Sequence, residues 1–174
     1  MNKIAMIFAG LITCTNVNAQ TCNNQMTPSI KTGQFIDNGD STVSDAVNLL
    51  MWDQCSYGQT YSDGQCLGAP TQFDTWKEAL VVANSIEGKY LPNLKELAIL
   101  VERACFEPSI SREAFPDTPL AMYWTNTPDG SAGPGDPIGR LIDFTDGGEI
   151  IRDVNRPKYI RLLNVIVNKK KNGA

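Results

Sequence analysis

The sequence contains no histidine in 174 residues. Histidine is the usual general base near neutral pH and the commonest zinc ligand, so its absence excludes Ser-His-Asp and Cys-His catalytic sites. Positive charge is also scarce, since 15 Lys and Arg face 19 Asp and Glu. A nucleic-acid binder needs the opposite balance. There is no glycine-rich phosphate loop and no alternation of strands and helices, so nothing indicates nucleotide chemistry.

The first nineteen residues have the three parts of a secretory signal peptide. Lys3 gives a positive start, residues 4–14 are mostly apolar, and Ala19 ends a polar stretch with a small side chain. The apolar run is too short to span a bilayer, which takes about 20 residues. We therefore expect cleavage after Ala19, no membrane span in the mature chain, and export to the periplasm, the cell surface or the medium. A lipoprotein with lipid on Cys14 is the alternative, although Thr13 fits a lipobox poorly.

Cleavage removes Cys14 and leaves an even number of cysteines: Cys22, Cys55, Cys66 and Cys105. Four cysteines in an exported chain predict two disulfides, with three possible pairings. The segment from Cys55 to Cys66 is polar and rich in turn formers, so a cross-link at its base would define it. We favour Cys55–Cys66 and, as the remaining pair, Cys22–Cys105. A metal site is the alternative, but the chain has no C-x-x-C pair and no histidine to complete it.

The middle of the chain predicts a hairpin, a strand and two helices. Asn38-Gly39 between β-forming residues predicts the hairpin, and residues 49–52 predict a buried strand. Each helix begins with a capping box, Thr75 with Glu78 and Asn93 with Glu96, and the second helix is expected to continue to Cys105.

Strand-like patterns return in the last third. They are residues 122–125, 140–145, 149–153 and, as a central strand, Tyr159–Val167. Four glycines and three prolines make Thr127–Gly139 a long loop. This order predicts an α+β domain, an antiparallel sheet with helices on one side and long loops.

Nine segments in this order resemble a known family. They are F-I-D-N-G-D-S-T-V-S-D (35–45), L-L-M-W (49–52), C-S-Y-G-Q (55–59), T-W-K-E-A-L (75–80), L-P-N-L-K-E-L (91–97), F-P-D-T-P (115–119), Y-W-T-N-T (123–127), D-F-T-D-G-G (143–148) and Y-I-R-L-L (159–163). The chain resembles the exported bacterial domain family named for the C-terminal domain of the Lcl collagen-like adhesin. We expect a signal peptide (1–19), a lead-in (20–33), the family domain (34–168) and a basic tail (169–174).

The resemblance implies a C-type-lectin-like fold related to that of formylglycine-generating enzymes, and an exported or surface location. The characterised class of members binds sulfated polysaccharides and promotes adhesion. Lys89-Tyr90 departs from the family pattern, which has Trp-Arg before Leu-Pro-Asn. This departure puts in doubt whatever the arginine does in relatives.

The long loop and its flanks are the predicted ligand site, because C-type-lectin-like folds place ligands there. The predicted contacts are Trp124, Asn126, Asp129, Arg140 and Asp143. Core packing is the competing interpretation for Trp124, and solvated turn residues for the aspartates. No cofactor is required, although calcium is possible; Asp143 and Asp146 are its candidate ligands, with Asp129 and Asp136 nearby.

Charge weighs against a polyanionic ligand, because the mature chain keeps a net charge of −5 once the leader, with its one lysine and no acid, is removed. Several cations lie near the C-terminus: Arg140, Arg152, Arg156, Lys158, Arg161 and Lys169–Lys171. They are consistent either with a local basic patch or with a solvated charged face. No nucleophile, base and orienting group come together, so we expect no enzyme. The predicted function is non-catalytic recognition of an extracellular glycan or surface protein. The alternatives are an assembly component of a surface appendage or, with a reactive cysteine pair, an enzyme related to formylglycine generation.

Overall fold

A computed structural model describes residues 19–131, 138–151 and 156–166 of the chain. Within these residues the strands and helices are short. In chain order they are β1 (Thr21–Cys22), β2 (Phe35–Asp37), β3 (Thr42–Asp45), β4 (Leu50–Asp53), β5 (Thr60–Ser62), β6 (Gln65–Leu67), α1 (Trp76–Ser85), β7 (Lys89–Tyr90), α2 (Leu94–Ala98), β8 (Cys105–Phe106), β9 (Met122–Pro128), β10 (Gly139–Asp143), β11 (Gly148–Ile150), β12 (Lys158–Tyr159) and β13 (Leu163–Asn164).

The strands form two larger sheets and two ribbons. One sheet has the order β2-β3-β4-β13-β7 and is antiparallel throughout. The other has the order β11-β10-β9-β12, and only its β9–β12 pair is parallel. The ribbons are β1-β8 and β5-β6. The predicted α+β class is confirmed, and so is the hairpin at Asn38-Gly39, which joins β2 to β3.

Strands β9 and β10 form a central layer that is buried on both faces. Tyr123 and Ile142 enter one hydrophobic cluster together with Leu97 of α2. Trp124 and Leu141, their neighbours along the strands, enter a second cluster that holds Ala79 and Ala83 of α1 and Phe73. Successive side chains of a strand point to opposite faces, so the helices lie on opposite sides of this sheet. The expectation that both helices share one side is therefore wrong.

Helix α1 begins as predicted, and α2 ends early. Both predicted capping boxes are present, at Thr75 and at Asn93. The second helix was expected to reach Cys105, but it stops at Ala98, where the N–H of Leu100 donates to the carbonyl of Leu97 at 3.1 Å. Such i→i−3 bonds tighten and close a helix. Cys105 lies instead on β8, directly opposite Cys22 of β1.

The predicted central strand over Tyr159–Val167 is also wrong. The described part of this segment contributes β12 to one sheet and β13 to the other. Between them the carbonyls of Ile160 and Leu162 accept the N–H groups of Tyr57 and Asp53, each at 3.0 Å. The apolar run therefore crosses between the two sheets instead of lying within one.

Candidate functional site

The residues predicted as ligand contacts on β9 and in the long loop have different environments. Trp124 is only 4% exposed, and its indole N–H donates to the carbonyl of Phe73 at 3.1 Å. Asn126 is exposed at the strand's far end. Asp129 is buried, and its carboxylate accepts hydrogen bonds from the backbone and hydroxyl of Ser131 at 3.0 and 2.8 Å. The ring of Trp124 is thus part of the core, while Asp136 lies outside the described residues.

The two predicted contacts on β10 are ion-paired. Arg140 pairs with Glu149, and the buried carboxylate of Asp143 pairs with Arg156. Asp146 accepts a hydrogen bond from the N–H of Gly148 at 2.9 Å. In the described ranges no group of three or more acidic, cysteine or histidine side chains is spaced to hold a metal ion. The calcium prediction therefore gains no support from Asp143 and Asp146.

The basic patch does not form from those of its members that the structure describes. Arg161 has no exposed surface and Lys158 is 6% exposed. Arg140 and Arg156 face acidic partners, as above. Arg152 and Lys169–Lys171 lie outside the described residues. A surface attractive to polyanions is therefore absent from this part of the described chain.

A concave site lies elsewhere, beside the segment that Cys55 and Cys66 enclose. This site, named here the loop pocket, has a volume of about 340 Å³. Its lining combines that segment with the turn before β3 and two charged residues of the five-stranded sheet: residues 40–42, Asp53, residues 55–61 and Lys89. It falls within the size range of small-ligand pockets, at the lower end.

The wall of the loop pocket is held rigidly by covalent and steric constraints. Cys55 and Cys66 form the predicted disulfide, and both are buried. Gly58 has φ +96°, and a Cβ there would lie 2.3 Å from the Thr71 hydroxyl. Only glycine therefore fits this position without displacing Thr71. On the opposite wall Ser41 has φ +72°, which is uncommon for a residue with a side chain.

Charged and aromatic groups are fixed around the pocket. The Lys89 ammonium contacts both carboxylate oxygens of Asp53 at 2.8 Å. The Tyr61 hydroxyl donates to Asp37 at 3.3 Å. The backbone N–H of Gly39, with smaller help from Gln54 and Tyr61, holds the pKa of Asp37 below its ordinary value. Asp37 is thus a carboxylate at neutral pH and accepts a long hydrogen bond from Tyr61 at the edge of the pocket.

A buried arginine supports the floor of the loop pocket. Arg161 donates to the backbone carbonyls of Asp53, at 2.9 Å, and of Gln54, and to the Thr118 hydroxyl at 2.9 Å. Its guanidinium lies 4.9 Å from the centre of the Phe115 ring. Since Gln54 precedes Cys55, these bonds fix the base of the disulfide-closed segment.

Tyr123 links the same centre to the pocket lining. Its hydroxyl lies 2.5 Å from the hydroxyl of Ser56, a buried lining residue, and its ring centre lies 6.0 Å from the Arg161 guanidinium. Burial raises the pKa of Tyr123 and lowers the pKa of Arg161, while the attraction between the two groups opposes both shifts. Residues of four of the nine family-like segments meet here: Ser56, Phe115 with Thr118, Tyr123 and Arg161.

Sequence reasoning missed this arrangement. It grouped Arg161 with the C-terminal cations by charge and treated the Cys55–Cys66 segment only as a cross-linked loop. The one available signal was the position of Arg161 between Ile160 and Leu162, because an apolar run indicates a buried segment. A charged residue in such a segment needs polar partners, since charged residues are almost never fully buried unless they are paired.

A larger groove lies under the lead-in. Residues 20–33, called the strap here, cross the surface and border a groove of about 730 Å³. The strap is held by the Cys22–Cys105 disulfide and by Glu102, whose carboxylate accepts the N–H groups of Ser29 and Ile30, each at 3.0 Å. Both predicted cysteine pairs are therefore disulfides, which is compatible with an exported protein.

These features define a disulfide-bonded α+β domain with a rigid pocket on its surface. The model of the Lcl C-terminal domain matches residues 41–164, and the chain belongs to this family, as the nine segments indicated. Neither a curated protein nor a solved structure matches the chain. The loop pocket lies almost wholly within the matched residues, whereas the strap precedes them. Among the described residues, no helix is long and apolar enough to cross a membrane.

The departure at Lys89-Tyr90 falls beside the loop pocket. Lys89 is a lining residue and the ion-pair partner of Asp53. Tyr90 is partly buried against the first hydrophobic cluster. The position before Leu91 therefore serves packing in this chain, and Lys89 brings a positive charge to the pocket.

Proposed function

We propose that this protein is an exported, non-catalytic recognition domain that binds an extracellular carbohydrate or a surface protein in the loop pocket. The observation that carries the proposal is the rigid wall of the pocket, closed by the Cys55–Cys66 disulfide and supported from below by Arg161. Preformed concave sites with a few fixed polar groups are the usual binding sites of proteins, because little ordering remains to oppose association.

The experiment compares two candidate sites and one control surface on the mature, oxidised protein. Tyr61→Ala changes the loop pocket, and Asn126→Ala changes the exposed end of the predicted loop site. Phe106→Ala removes an aromatic ring that is 46% exposed and lies on the β1-β8 ribbon. Binding is measured on immobilised glycans and on surface proteins from the native host. We expect Tyr61→Ala alone to weaken binding, by about tenfold or more.

Other results would move the site or remove it. Loss of binding in Asn126→Ala alone would place the ligand at the long loop that the sequence predicts. Equal binding by all three variants would contradict both sites. A thiol titration tests the non-catalytic part: a cysteine that reacts in the folded, oxidised protein would favour the enzyme related to formylglycine generation.

An assembly role is the second candidate, and one observation favours it. Strand β2 lies at the edge of its sheet. The N–H of Asn38 and the carbonyl of Gln34 form hydrogen bonds with β3. In an antiparallel pair, successive residues bond alternately to the partner strand and away from it. The backbone groups of Phe35 and Asp37 therefore face outward, beside the strap groove. Such an edge can receive a strand of a partner protein. A stable partner that co-purifies and is released by Asp37→Pro, which removes an outward N–H, but not by Asp37→Ala would support this role.

The C-type-lectin-like relationship that the family implies is part of the same proposal. The mixed architecture with two helices is consistent with it. An experimental structure that superimposes on a C-type lectin domain across the β9-β10 layer would establish the relationship, and a different strand order would refute it.

A further inference from the structure

The charges of the loop pocket limit the ligands that it can hold. Asp40 and Asp53 line it, and Asp37 lies behind Tyr61. Lys89 is the one cation among the lining residues, and its ammonium already contacts both oxygens of Asp53. The pocket is therefore net negative, and a sulfated or phosphorylated ligand would bring like charge to it.

The uncharged lining offers two exposed hydroxyls, those of Ser41 and Thr60. Thr42 and Gln59 also line the pocket, but the Thr42 hydroxyl bonds to Asp40 and Asn38, and the Gln59 amide donates to the carbonyls of Cys66 and Gly68. Hydroxyls both donate and accept hydrogen bonds. A ligand with many hydroxyl groups matches this lining better than an apolar one, which would leave these groups without partners.

An aromatic ring completes the site. Tyr61 lines the pocket, and its hydroxyl bond to Asp37 at 3.3 Å favours one orientation of the ring. A tyrosine ring offers a large apolar surface at low entropic cost, and it packs well against the C–H face of a sugar ring. The volume of about 340 Å³ suits a short saccharide unit better than a long segment of polymer.

We infer that the loop pocket binds an uncharged saccharide, with Tyr61 stacked on the sugar ring and with the hydroxyls of Ser41 and Thr60 bonded to the hydroxyls of the sugar. This inference rests on the proposed function, since it names the ligand class of the same pocket. It predicts selection against sulfated glycans.

The test uses pairs of probes that differ only in sulfation, namely uncharged oligosaccharides and their sulfated forms, at two salt concentrations. The proteins are the wild type, Tyr61→Ala, the milder Thr60→Gln, the charge reversal Asp40→Lys and the control Phe106→Ala. Thr60 and Asp40 are exposed, so these two changes leave the core intact if Tyr61→Ala fails to fold.

We expect an uncharged oligosaccharide to bind with an affinity that salt does not change, since no ion pair forms. Tyr61→Ala and Thr60→Gln should weaken it by about tenfold, and Phe106→Ala should leave it unchanged. The sulfated form should bind the wild type more weakly than the uncharged form does, and Asp40→Lys should reduce that difference.

Other outcomes separate the ligand class from the site. If the sulfated form bound more tightly than the uncharged form, in a salt-sensitive way, and Tyr61→Ala abolished that binding, the inferred ligand class would be wrong. The loop pocket would still be the binding site. Capture of a protein partner through Tyr61 without any glycan binding would lead to the same two conclusions. Glycan binding that neither pocket variant changes, or no binding of any probe, would overturn the inference and the proposed function together.

Discussion

The strap and the Cys55–Cys66 segment are each fixed by one disulfide, but the body supports them differently. The strap residues are exposed almost throughout, and their attachments besides the disulfide are surface contacts: the β1-β8 pair, the Gln20 amide on the carbonyls of Pro108 and Ile110, and the bonds of Ser29 to Val101 and Glu102. The Cys55–Cys66 disulfide is buried, and Arg161 holds the backbone just before it. A cross-link limits where a segment can go, whereas a buried polar centre beneath it fixes the shape of its surface. This difference is the reason for placing the ligand in the loop pocket.

Removing each disulfide in turn gives the largest expected effects. The Cys22–Cys105 bond should matter more for stability, and the Cys55–Cys66 bond should matter more for ligand binding. The Cys22–Cys105 bond closes 83 residues and the Cys55–Cys66 bond closes 11. Chain entropy then predicts a loss of about 4.5 kcal/mol for Cys22→Ser with Cys105→Ser and about 2.8 kcal/mol for Cys55→Ser with Cys66→Ser. Urea denaturation measures both.

Binding should follow the reverse order. The variant without Cys55–Cys66 should lose its ligand even where it remains folded, because the pocket wall is released. The variant without Cys22–Cys105 should bind normally below its unfolding temperature. Loss of ligand in the strap variant alone would reverse the comparison and move the site to the strap groove.

The next prediction concerns the support under the loop pocket. Arg161→Met keeps much of the side chain's volume but leaves the carbonyls of Asp53 and Gln54 without their donor. Unsatisfied buried groups cost about 1–3 kcal/mol each, so we expect a loss of about 3 kcal/mol in the free energy of unfolding.

Arg140→Met is the matched control, because it removes an arginine whose ion pair with Glu149 is partly exposed. Such pairs contribute about 1 kcal/mol or less. Chemical denaturation of both variants gives the comparison. Similar losses would mean that Arg161 does not support the pocket in the way proposed.

Sequence reasoning succeeded where the signal is local and failed where it depends on distant neighbours. The capping boxes at Thr75 and Asn93 involve residues three apart, and both are present. The cysteine pairing followed from a short polar segment. Arg161 could not be placed, since its partners Gln54 and Thr118 are far away in the sequence. The end of α2 was missed for the same reason: Val101 bridges to Ile110 and draws the chain out of the helix.

The shape of the pocket wall gives a smaller effect, with a built-in control. Gly58→Ala combines a strained φ of +96° with a contact of 2.3 Å to Thr71. Gly64, in the same cross-linked segment, has φ +80° and nothing within 4 Å of an added Cβ. We expect a loss of about 1 kcal/mol for Gly64→Ala from backbone strain alone, and about 2 kcal/mol for Gly58→Ala, where the contact with Thr71 adds to the strain.

Thermal unfolding and ligand binding together check this prediction. Gly58→Ala should weaken ligand binding, because Thr71 or the wall of the pocket must shift. Gly64→Ala should leave ligand binding unchanged. Equal stability losses would show that the close approach to Thr71 is relieved without cost. The wall of the loop pocket would then be no more rigid than the strap.

The smallest predicted effect is a pH dependence that belongs to the strap. Burial raises the pKa of Glu102, but the backbone N–H groups of Ala104, Ile30 and Ser29 outweigh it and leave the pKa below its ordinary value of 4.5. The unfolded chain therefore takes up the proton first as the pH falls. The contribution of Glu102 to the free energy of unfolding is complete above the pKa that this residue has in the unfolded chain. It is lost as the pH falls through the lower pKa of the folded protein.

Glu102→Gln should flatten the fall in the free energy of unfolding as the pH drops below the ordinary carboxyl pKa of 4.5. Glu113→Gln removes an exposed carboxylate from the same groove and is the matched control for the loss of one charge. The strap groove and the loop pocket share no lining residue, so any change of ligand affinity with pH, to which Asp37 beside Tyr61 contributes, should be the same in the wild type and in Glu102→Gln. If binding and strap stability instead fell together with pH in the wild type and both recovered in Glu102→Gln, the two regions would be coupled. The loop pocket would then depend on the strap as well as on Arg161.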